Sequence, residues 1–125
     1  MTCEVVEHEV HSGADNSFTL QLLSRDYDGT TVPIDLASVQ TASLELEGQP
    51  ELVVNLQEGS NPPIDWWDAE LPTGYIRFKL GPWASINSVP VGTYTARLIT
   101  YDLANTNGIV WTSHEKKELY VTINA

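Results

Sequence analysis

The chain has 125 residues, a net charge of −11 and one cysteine, Cys3. Leu, Ile, Val and Phe together number 33, which excludes intrinsic disorder and suits one domain with a core. The basic residues Arg25, Arg77, Lys79, Arg97, Lys116 and Lys117 are few and scattered, which argues against nucleic acid and against an anionic membrane surface, and a lone cysteine allows no internal disulfide.

The segment from Met1 to Glu7 has no basic start and no apolar run, so no secretory signal is expected and the chain reads as cytoplasmic when made. No apolar run approaches the length needed to span a bilayer. Glu7-His8-Glu9-Val10-His11 gathers possible metal ligands, but on a strand His8 and His11 face opposite ways. A solvated edge strand is the better reading, and no metal or other cofactor is expected.

Phe18, Leu20 and Leu22 then alternate with Thr19 and Gln21. Asp26-Tyr27-Asp28-Gly29 begins like a calcium loop, yet the position for the late glutamate is Ala37, so the segment reads as a hairpin turn. Ile34 to Val39 has room for one helical turn. Ala42, Leu44 and Leu46 alternate next, and after the break at Gly48-Gln49-Pro50 so do Leu52, Val54 and Leu56. The longest irregular stretch follows, from Glu58 to Glu70, with Pro62, Pro63, Trp66 and Trp67 inside it. Ile76, Phe78 and Leu80 form the next alternating run, and Ala84 to Val89 is a second place for a helical turn. Tyr94, Ala96 and Leu98, the Asn107-Gly108 turn, and Leu119, Val121 and Ile123 complete the chain.

Period two throughout, punctuated by Gly and Pro, predicts an all-β domain spanning residues 1–125: an antiparallel sandwich or small barrel of seven to nine strands. The expected core is Phe18, Leu20, Leu22, Leu44, Leu46, Val54, Leu56, Ile76, Phe78, Tyr94, Leu98, Val121 and Ile123.

Two stretches resemble known families. Val89 to Leu98, with Gly92-Thr93-Tyr94, resembles the sixth strand of immunoglobulin-like domains, where the tyrosine hydroxyl bonds upstream backbone. The cysteine found two residues later in antibody-type domains is Ala96 here, so the likeness is to members without a disulfide. Ser17 to Leu22, Asp26 to Thr30, Ile34-Asp35-Leu36, Ala42 to Leu46, Pro90 to Tyr94 and Glu118 to Ile123 resemble, in that order, the immunoglobulin-like N-terminal domain of tailed-phage baseplate upper proteins. That family joins the domain to further modules, whereas this sequence ends at Ala125. The resemblance implies an immunoglobulin-like antiparallel β-sandwich and a structural role in the virion.

The four tryptophans carry most of the site information. Trp66 and Trp67 lie beside Asp65, Asp68 and Glu70, and exposed rings with nearby carboxylates would suit a sugar. The same rings would serve equally to plug a core or to anchor a protein interface, and adjacent residues in an extended segment point opposite ways. No nucleophile elbow, phosphate-cradling glycine motif or carboxylate pair drawn from two elements occurs, so no enzyme is expected. The leading expectation is a non-enzymatic virion protein, docking on other virion proteins of capsid or tail and baseplate as a homo-oligomer or lattice-bound unit. Its expected interface residues are Trp66, Trp67 and Trp83, with Val5, Val6 and Val10 on an N-terminal segment able to add a strand to a neighbour. The alternative is a carbohydrate-binding module using Trp66, Trp67, Asp65 and Asp68. A bacterial surface domain is a third reading, opposed by the missing signal.

Overall fold

A computed structural model of the chain describes residues 2–5, 9–25, 30–57, 59, 62–113 and 119–125. Its strands, in chain order, are β1 (Thr2–Val5), β2 (Glu9–His11), β3 (Phe18–Arg25), β4 (Thr31–Pro33), β5 (Thr41–Leu46), β6 (Leu52–Asn55), β7 (Ile64–Asp65), β8 (Tyr75–Phe78), β9 (Gly92–Tyr101), β10 (Ile109–Ser113) and β11 (Leu119–Asn124). A 3-10 turn spans Leu36–Ser38 and a short helix, α1, spans Gly81–Ile86.

Two sheets pack face to face. In the first, β3 pairs antiparallel with β1, β4 and β8, and β7 adds to β8. In the second, β9 is the spine: β5 and then β6 lie on one side, and β10 and β11 on the other. Ile109–Trp111 face Leu98–Thr100, and Leu119–Ile123 face Gly92–Ala96, so β10 and β11 follow one track along β9. The N-terminal segment is shared between sheets in the same way. β1 pairs antiparallel with β3 and parallel with β10, which ties the two sheets together, while β2 pairs parallel with β11. The arrangement is a β-sandwich, in which the Tyr94 hydroxyl donates to the Pro90 carbonyl at 2.6 Å, the bond expected of that tyrosine.

Eleven strand segments are described, against the seven to nine expected. The excess comes from the two split tracks and from β4 and β7, which are only three and two residues long.

Alternation places the core. Phe18, Leu20, Leu22, Leu44, Leu46, Val54, Ile76, Phe78, Leu98, Val121 and Ile123 are all buried. Phe18 and Phe78, opposite one another on β3 and β8, stack with centroids 4.9 Å apart. Leu56 and Tyr94 are only partly buried and pack against this core. Leu56 lies just past the end of β6, where Gln57 takes φ 60°, and Tyr94 carries its hydroxyl outward to Pro90.

Both expected helical turns exist. Asp35 caps the first, its Oδ1 accepting from the Ala37 amide at 2.9 Å. The second begins earlier than Ala84, at Gly81, because Pro82 fits the first turn of a helix, where its missing N–H costs nothing. Gly81 is required there: a Cβ would lie 2.0 Å from the Ala14 carbonyl oxygen. Asn107-Gly108 does turn the chain, but inside a longer loop from 102 to 108. There the Asp102 Oδ1 accepts from the amides of Ala104 and Asn105. The Asp28-Gly29 turn, Val6 and His8 lie outside the described residues.

The N-terminal expectation is corrected in part. β1 pairs with β3 along its whole length and with β10 through Thr2 and Cys3, so that half has a strand on each side, while Glu4 and Val5 pair with β3 alone among the described strands. Val10 is wholly buried and belongs to the core. Among the described strands β6 is an edge, paired with β5 alone.

Candidate functional site

The segment after β7 is organised by one cross-strand pair. Asp65 on β7 sits opposite Arg77 on β8. The Arg77 guanidinium donates to Asp65 Oδ2 at 2.5 Å and to Asp68 Oδ2 at 2.9 Å. The other oxygen of each carboxylate holds backbone: Asp65 Oδ1 accepts from the Trp67 amide at 3.1 Å, and Asp68 Oδ1 from the Glu70 amide at 2.9 Å. The turns at 65–67 and 68–70 are therefore fixed by charge-assisted bonds. The Glu70 amide, then the Arg77 guanidinium, hold the Asp68 carboxyl below its ordinary range. Burial works against the charge of Arg77, but its bonds to Asp68 and Asp65 prevail and its pKa is raised.

This clamp sends the paired tryptophans opposite ways. Trp66 turns inward, is 7% exposed, and donates its indole N–H to the Val39 carbonyl at 3.1 Å. Trp67 stays partly exposed, packed edge-to-face on Trp66 with centroids 4.9 Å apart and planes at 82°. Two open clefts share Trp67 and Asp68. One, of about 360 Å³, is lined also by Asp35, Leu56, Gln57, Pro72 and Tyr75. The other, of about 380 Å³, is lined by Gly59, Pro62, Asp65, Arg77 and Lys79.

The structure thus separates the expected site residues. Trp67 and Asp68 line both clefts, and Asp65 lines the one that holds Arg77. Only the edge of the first cleft reaches Trp66, whose ring is core. Trp83 packs against the core from α1 and lines neither cleft, and Glu70 is exposed outside both. Trp111, the fourth tryptophan, is buried with its indole N–H on Thr100 Oγ1 at 2.9 Å. Sequence reasoning missed Asp35, Gln57, Tyr75 and Arg77, which reach the site from three separate segments, Tyr75 and Arg77 both on β8. Only the positions of Tyr75 and Arg77 on an alternating strand hinted that they face away from the core.

A second surface is the outward side of the second sheet. Val53, Ser43, Ile99 and Val110 form one row across β6, β5, β9 and β10. Val53 and Val110 are 50% and 41% exposed. In the next row Glu45 faces Arg97, and Tyr120 faces Thr95 further along β9. The described outward residues of β5, β6, β9, β10 and β11 are otherwise uncharged, and Glu9 on β2, in register with Thr122, stands at the margin of the sheet. No protein-family model and no curated protein sequence matches the chain.

Proposed function

We propose that the protein is a non-enzymatic structural component of a tailed-phage virion. It docks on other virion proteins, of capsid or of tail and baseplate, through the outward face and free edge of its second sheet. The observation that carries this reading is the distribution of charge. Among the described residues, a chain of net charge −11 leaves the outward face of β5, β6, β9, β10 and β11 with a single acid and a single base, Glu45 and Arg97, set opposite each other. Threonine, tyrosine and valine cover most of the rest, and Val53 stands on the edge strand β6, paired on one side only, whose other side can accept another strand. Depletion of charge with enrichment of aromatic and apolar groups is the composition of interface cores. The resemblance of Pro90 to Tyr94 and of the earlier strands to a baseplate domain points to the same class of partner.

The reading is tested by mass spectrometry of gradient-purified phage particles from the source culture. The chain is expected in the particle fraction at a fixed ratio to the major capsid protein. Its absence from that fraction would remove the proposal.

A further inference from the structure

We propose that the cleft between Trp67, Asp35 and Gln57 binds a neutral pyranose ring of a glycan. This goes beyond the docking reading and uses none of the residues on the outward sheet face.

The cleft, about 360 Å³, is at the small end of ligand sites, on the order of 300–1,000 Å³, and so matches one or two sugar rings. Its chemistry is that of a sugar seat. Trp67 supplies an aromatic ring, and Leu56 and Tyr75 add apolar surface for the C–H face of a pyranose. The polar groups around them come already placed. Asp35 has one oxygen on the Ala37 amide and the other without a hydrogen bond among the described residues. Asp68 is held from behind by Arg77 and by the Glu70 amide. Carboxylates fixed in this way lose little freedom when they accept from hydroxyls.

Gln57 adds a second observation. It is one of two non-glycine residues with positive φ among the described residues, at 60°, a conformation that side chains other than Asn and Asp rarely adopt. Its exposed side-chain amide, donor and acceptor at once, lines the cleft. Glycine would relieve the backbone there, and glutamine stands in its place. The lining also sets the charge of the ligand. It contains two carboxylates and no lysine or arginine, which disfavours sialic acids, uronic acids and phosphorylated sugars.

The test is a glycan array carrying neutral and anionic oligosaccharides, probed with wild type, Gln57→Gly, Trp67→Ala and Trp83→Ala, followed by calorimetric titration with the strongest neutral hit. Binding is expected on neutral glycans, reduced roughly tenfold or more by Trp67→Ala and unchanged by Trp83→Ala. Gln57→Gly should weaken binding while raising the melting temperature, so lost affinity is not lost folding. No binding on the array, binding restricted to anionic glycans, or equal affinity for wild type, Trp67→Ala and Gln57→Gly would each overturn the proposal. None of these results bears on whether the chain is part of a particle.

Discussion

Single atoms in this protein have measurable consequences. The hydroxyl of Tyr94, bonded to the Pro90 carbonyl at 2.6 Å, fixes the entry to β9. Tyr94→Phe should cost about 1 kcal/mol in urea unfolding, the usual net value of one such bond. Ser43 presents the opposite case. It lies on the outward face of the second sheet but is 1% exposed, and its Oγ has no hydrogen-bond partner among the described residues. A buried hydroxyl without a bond carries its desolvation cost uncompensated, so Ser43→Ala should stabilise by about 1 kcal/mol, read in the same assay. Asp68 gives a pH dependence. Its folded pKa is lowered by the Glu70 amide and by Arg77, so the unfolded chain binds its proton first as pH falls. The stability it contributes is present above the ordinary carboxylate range and is lost as pH drops through the lower, folded value. Asp68→Asn should flatten that limb of a stability–pH curve and leave the neutral region of the curve without a slope of its own.

At the scale of elements, what the sequence showed and what it hid follow from the range of the interactions. Strands β3, β5, β8, β9 and β11 were legible because each buries alternate residues on one face, a signal contained within a few positions. The parallel pairings of β1 with β10 and β2 with β11 were not, because they join the two ends of the chain and leave no local mark. The same holds for Trp66, whose inward turn depends on a carbonyl at Val39, 27 residues away. The loop carrying the tryptophans was visible as an anomaly of composition, but the clamp of Asp65, Asp68 and Arg77 that shapes it needs β7 beside β8. Pro82 carries two signals at once: proline ends a strand, and here it also begins a helix. That helix rests on the turn at residues 11–14 through Gly81, whose carbonyl accepts from Gly13 at 2.8 Å. An added Cβ would meet the backbone oxygens of Ala14 and His11 at 2.0 and 2.5 Å. Gly81→Ala should therefore destabilise by about 3 kcal/mol, the upper range for overpacking, measured by denaturant titration.

The whole molecule is a rigid frame with unequal surfaces. Its core runs between the sheets from Phe18 and Phe78 to Leu98 and Ile123, and β1 ties one margin by pairing into both sheets. Because the core is fixed by alternate residues, the outward positions are free to vary, and in the second sheet they have shed charge. In the proposed reading, separating that face from the tryptophan clefts would let one domain hold a protein partner and a small ligand at once. The docking claim is tested most directly by infecting cells that express equal amounts of wild-type and Val53→Lys chains, tagged differently in mass, and measuring both in gradient-purified particles. Val53 is 50% exposed on an edge strand, so the substitution leaves the fold intact and places a charge in the middle of the proposed contact. The account predicts wild type in the particles and Val53→Lys depleted at least several-fold. Equal incorporation of the two chains, or the absence of both, would contradict it.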